Sequence, residues 1–173
     1  MDTESRENLT EHDDLVTVEY DEVNNYEQER GKPMPSRNHG RIQAALSALF
    51  YIRYRMSFTV YSELSLELLG DKLTPDICLY PYTPSNWLHD QNPVAEPPLL
   101  AIEIVSPSQS TTEMLLKARR YFAGGVQSFW LVEPALQTIS VLAPNDTLQT
   151  FASGIVRDAI VGIELPIAEV FEA

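Results

Sequence analysis

Leu99-Leu100-Ala101-Ile102-Glu103-Ile104-Val105 is a nearly continuous aliphatic run with a single carboxylate inside it, and that combination narrows the choice of fold more than any other stretch of the chain. Such a run suits a central strand covered on both faces. A carboxylate within it needs a cation or a proton as partner, because burying an uncompensated charge is costly.

The residues just after the run set the architecture. Ser110 is a good N-cap with Glu113 at the reciprocal capping-box position, and Gly124-Gly125 offers a left-handed stop, so a helix is predicted between them. Phe129-Trp130-Leu131-Val132 then reads as a second buried strand. Strand, helix, strand is the order of a crossover unit, which makes part of the sheet parallel.

Upstream, Ile42, Ala45, Leu46, Leu49, Ile52 and Met56 recur at three- and four-residue spacing, predicting a helix from about Asn38 with one buried stripe and Arg41, Arg53 and Arg55 on its solvated side. Phe58–Tyr61 and Ser65–Leu68 read as two strands meeting near Gly70-Asp71, and Asp76–Tyr80 as a short apolar strand between prolines. The proline-rich stretch from Pro81 to Pro98 reads as a long surface loop. Thr138–Val141 alternates, Leu148–Phe151 and Ile155–Ile160 read as edge strands, and Ala168–Phe171 as a short turn of helix. The fold class is α/β, a central mixed β-sheet flanked by helices.

At 173 residues with 44% apolar composition, one compact domain is expected. The net charge of −13 is uneven: residues 1–30 hold eleven of the 25 acids and two of the twelve bases, so they carry −9 and the remainder −4. Residues 1–25 are therefore read as an acidic, loosely ordered lead and residues 26–173 as the domain. A lone cysteine, Cys78, and the lack of a basic and apolar leader at the N-terminus point to the cytoplasm, with no membrane association.

Asp76 heads an apolar strand that a sheet could place beside Glu103. Two carboxylates about 4 Å apart repel by about 4 kcal/mol at an effective dielectric near 20, so a shared proton or a metal ion is expected between them. Lys117 lies three residues after Met114 and four before Tyr121, on the helix side that should face the sheet. Carboxylates that hold Mg²⁺, with an amine beside them, form a setting for phosphodiester hydrolysis. The plainer readings are that Asp76 caps a strand and that Lys117 pairs with Glu113 one turn away.

At these residues the chain resembles the Uma-two family of restriction-endonuclease-like proteins in the PD-(D/E)xK superfamily. The matching pieces, in order, are Tyr26-Glu27 with Gly31, Met34-Pro35-Ser36, His39-Gly40, Pro75-Asp76, Glu103 through Ser108, then Lys117, Tyr121, Gly125-Val126 and Phe129 through Val132. The resemblance implies a restriction-endonuclease-like fold, Asp76 and Glu103 as metal ligands, Lys117 as the catalytic lysine and Glu27 as an accessory catalytic carboxylate, with Glu63 a rival for that place. It also implies Mg²⁺ or Mn²⁺ as cofactor, DNA as substrate and, by analogy with nucleases that cut two strands, a homodimer. One departure is plain: Val105 stands where the superfamily's Glu-x-Lys motif has its lysine, and Lys117 on the next helix takes that place.

Other residues carry less. His39 is placed at a helix entrance, His89 in the loop and His12 in the acidic lead, without metal-ligand spacing. Ser106 lacks a Gly-x-Ser-x-Gly setting, and Cys78 reads as a small buried residue. Tyr121 and Trp130 read as core, and Trp87 as a loop residue that either meets a partner or covers the sheet. The acidic balance keeps a second reading open, a nuclease-fold protein without catalysis that serves binding or assembly.

Overall fold

The computed structural model of the protein describes residues 34–172. Glu27, His12 and the predicted boundary near residue 25 lie outside the described residues.

Helix α1 spans Arg37–Tyr54, with the Ser36 side chain accepting from the His39 backbone N–H at its start. Its buried stripe is His39, Ile42, Leu46 and Phe50. Two residues of the predicted stripe depart from it: Ile52 is 72% exposed and Met56 83%. At about 100° per residue, Ile52 is turned about 200° from Phe50, and Met56 lies beyond the end of the helix.

A six-stranded sheet forms the centre, with strands β1 (Phe58–Ser62), β4 (Ile77–Pro81), β5 (Leu100–Ile104), β6 (Ser128–Glu133), β7 (Thr138–Leu142) and β8 (Leu148–Phe151) in that spatial order. Among the described strands of this sheet only β5 and β6 run parallel, joined through helix α2 (Thr111–Ala123), and the other pairs are antiparallel. The predicted crossover is therefore at the heart of a mixed sheet, and every residue of β5 is buried.

The two strands expected to meet near Gly70-Asp71 do not pair with each other. β1 pairs with β4, while β2 (Leu66–Leu68) forms a separate hairpin with β3 (Asp71–Leu73). Leu69 and Gly70 connect that hairpin with φ of 52° and 86°, a two-residue loop with both residues left-handed, which matches the twist of paired strands. Likewise β9 (Ile155–Asp158) is not an edge of the main sheet, because it pairs with β10 (Ile163–Pro166).

Alternation along β5 separates two cores. Leu100, Ile102 and Ile104 pack with α1, with the β9–β10 hairpin and with helix α3 (Ala168–Phe171). Ala101 packs on the other face with Met114, Ala118 and Tyr121 of α2 and with the β2–β3 hairpin. Asp158 ties β9 to the sheet, since its Oδ2 accepts from Ser128 Oγ at 2.5 Å and from Trp130 Nε1 at 2.8 Å. No helix among the described residues is long and apolar enough to cross a membrane.

Candidate metal and catalytic centre

Glu103 keeps the side of β5 that faces α2, so the helix decides what it meets. Its Oε1 accepts from the Tyr121 hydroxyl at 2.7 Å and lies 2.7 Å from Lys117 Nζ. Lys117 and Tyr121 are four residues apart, hence stacked on one helical face. Glu113 is not the lysine's partner here; it completes the capping box with Ser110. A carboxylate with 2% side-chain exposure thus has a 13%-exposed ammonium against it, which is the compensation a buried charge requires. Burial raises the Tyr121 phenol well above its usual value, and the Glu103 charge adds to the shift, so the hydroxyl stays a donor.

Asp76 stands one residue before β4. Its backbone N–H donates to the Ile102 carbonyl at 3.0 Å, and its Oδ2 accepts from the Ile104 N–H at 2.7 Å. It is therefore fastened to both neighbours of Glu103, which holds the two acids at the same end of adjacent strands. The remaining oxygen, Oδ1, lies 3.2 Å from His39 Nε2.

His39 enters from the first turn of α1 as the start of the buried stripe. Its Nδ1 lies 3.4 Å from Ser106 Oγ, just past the end of β5. Gln43, one helical turn on, donates through Nε2 to Glu63 Oε1 at 3.1 Å and to the Asp76 carbonyl at 3.0 Å. Glu63 itself comes directly after β1 with φ of 55°, a left-handed conformation that a non-glycine residue adopts only at some cost.

His39, Glu63 and Asp76 each offer a ligand atom within 4.8 Å of the others, a set of donors able to hold a metal ion. An imidazole with two carboxylates is a fitting donor set for a divalent ion. Glu103 is not a member of that group. The structure thus brings Glu103 and Lys117 into contact, fastens Asp76 to the strand beside them and adds Glu63. It also supplies His39 and Gln43, which spacing alone did not single out, although His39 shares the three- and four-residue rhythm of Ile42, Leu46 and Phe50. Cys78 is fully buried, and burial pushes its thiol up to about 12, in keeping with a packing residue. Trp87 is exposed and lines a groove with Tyr61 and Tyr80.

The family model Uma2, described as "Putative restriction endonuclease", matches residues 14–168. A crystal structure described as "a putative nuclease belonging to DUF820", from Anabaena variabilis ATCC 29413, matches with a TM-score of 0.70 at 24% identity, over 81% of this chain and 83% of that one. That likeness is one of fold. No curated protein matches the chain.

Proposed function

The chain belongs to the Uma2 restriction endonuclease family, and from that premise we propose that it hydrolyses DNA phosphodiester bonds with a divalent ion, Mg²⁺ or Mn²⁺, held at Asp76. The observation that carries this reading is the juxtaposition of a buried Glu103–Lys117 pair with a second acid bound to the backbone on either side of Glu103. A fold alone would not need it: an aliphatic residue at position 103 would pack without any partner.

When bound, the ion supplies Lewis-acid charge to a phosphate oxygen and lowers the pKa of a water that can attack phosphorus. The chain's own groups do the rest. Asp76 and Glu103 would provide the negative charge that holds the cation, with Glu63 as a further carboxylate beside Asp76. Lys117 presents a fixed ammonium to the charge that builds on the phosphate as the water oxygen bonds to phosphorus and the bond to the leaving oxygen breaks. Tyr121 positions Glu103 and so the lysine.

The net charge of −13 favours a second reading, a binding or assembly protein that keeps the fold without the reaction. Plasmid cleavage separates the two. The wild-type protein should nick or linearise supercoiled DNA with Mg²⁺ or Mn²⁺ and not with EDTA, and Glu103→Gln should lose about 10²-fold or more of that activity. Cleavage that survives both EDTA and Glu103→Gln, or no cleavage of any DNA substrate with either ion, would overturn the nuclease reading.

A further inference from the structure

The donor set beside Asp76 distinguishes between the two candidate ions. Among the described residues, the group able to hold a metal contains an imidazole as well as carboxylates. Mg²⁺ is a hard cation that takes oxygen ligands and keeps several waters, whereas Mn²⁺ and later transition ions accept imidazole nitrogen more readily. We infer that His39 is an inner ligand of the ion, through Nε2, and that the centre consequently prefers Mn²⁺ to Mg²⁺. This inference rests on the reading of Asp76 as a metal ligand.

Three observations converge on it. First, the 3.2 Å between His39 Nε2 and Asp76 Oδ1 is near the separation of about 3 Å expected of adjacent ligands in an octahedral shell with bonds of about 2.1 Å.

Second, each member of the group is oriented by an outer partner. Ser106 Oγ lies at His39 Nδ1, Gln43 Nε2 donates to Glu63 Oε1, and the Ile104 N–H donates to Asp76 Oδ2. Ligating histidines and carboxylates are held in this way at metal sites, where the partner of one ring nitrogen sets which tautomer the other presents. In the tautomer that donates its Nδ1 proton to Ser106, Nε2 offers its lone pair toward the carboxylates. Third, His39 is buried, at 4% exposure, in the first turn of a helix whose other buried residues, Ile42, Leu46 and Phe50, are all apolar. Glu63, the third member, occupies a left-handed backbone position.

A buried histidine can instead serve only structure, by donating an Nε2 proton to Asp76. The two roles differ in what they do to metal affinity. Titration of the purified full chain with Mn²⁺, followed by the EPR signal of the free ion, and competition with Mg²⁺ should show Mn²⁺ bound at least about tenfold more tightly. His39→Gln should cost Mn²⁺ affinity about tenfold or more and change Mg²⁺ affinity far less. Pulsed EPR of the Mn²⁺-loaded wild type should show the coupling of a directly bound imidazole nitrogen, which does not depend on any variant folding.

Absence of that nitrogen coupling, or Mn²⁺ affinity unchanged in a folded His39→Gln protein, overturns the inference. If in that case Mn²⁺ or Mg²⁺ still binds and the plasmid is still cut, the nuclease reading stands without His39. If neither ion binds and no DNA is cut, both fail together.

Discussion

Glu103 shows how one side chain can limit what surrounds it. In the middle of a strand buried on both faces, its carboxylate is held by an ammonium and a phenol from the same face of α2. Removing one member of a buried ion pair is costly, up to about 3–5 kcal/mol, because the survivor keeps its desolvation penalty. Lys117→Met is therefore expected to lower both stability, readable in urea unfolding, and cleavage, by about 10²-fold or more. Tyr121→Phe leaves the charges in place and should cost only about 1–3 kcal/mol. If Lys117→Met proved as stable and as active as the parent, the pair would be an ordinary contact.

The acid in the aliphatic run and the helical position of Lys117 were legible in the sequence because both arise from short-range periodicity. The approach of His39 and Gln43 to Asp76 was not legible, since it depends on how α1 crosses the sheet and no spacing within α1 encodes that crossing.

The β5–α2–β6 crossover was readable in the sequence, while the pairing partners of β1, β2 and β9 were not. The crossover through α2 and its capping box are dictated by residues 99–132 in order. The pairing of β1 with β4, rather than with its sequence neighbour β2, is decided by the left-handed turn at Glu63 and by the short loop at Leu69-Gly70 that claims β2 for β3.

Asp158 is the corresponding surprise on the opposite face, an acid that serves architecture. It accepts from Ser128 and Trp130 of β6 and from the Ile160 N–H, so the β9–β10 hairpin is anchored to the sheet by a fully partnered carboxylate. Asp158→Ala should leave buried donors unsatisfied at about 1–3 kcal/mol each, and it should lower the melting temperature while sparing metal binding. A variant with unchanged melting would show that the hairpin is held by its apolar contacts alone.

Across the whole molecule, buried acids with raised pKa values set an alkaline limit on stability. The Cys78 thiol is pushed up to about 12 by burial, and the Tyr121 and Tyr80 phenols are also shifted up, with burial the largest cause in each. The unfolded thiol releases its proton near pH 9 while the folded one keeps it, so the stabilisation is complete below about pH 9 and is lost as pH rises toward 12. For the thiol the loss is about 1.4 kcal/mol per pH unit across that range. Denaturant unfolding from pH 8 to about pH 11 should show this decline, with a shallower slope in Cys78→Ala. Equal slopes would mean that the thiol titrates alike in both states.

Charge is also spread unevenly over the molecule. Residues 1–30 carry −9 of the −13, so on the proposed reaction DNA would be met by residues outside that segment, and cleavage should weaken as salt screens what attraction exists.

Divalent-ion binding at Asp76, beside the Glu103–Lys117 pair, underlies every catalytic role proposed for the chain. Crystals of the wild-type protein equilibrated with Mn²⁺ and measured at the manganese absorption edge test it most directly. The expected result is an anomalous peak within about 2.5 Å of an Asp76 carboxylate oxygen, absent from Asp76→Asn crystals treated alike. Well-ordered wild-type crystals without a peak at Asp76, or with the ion bound elsewhere and unaffected by Asp76→Asn, would contradict a metal centre at this acid.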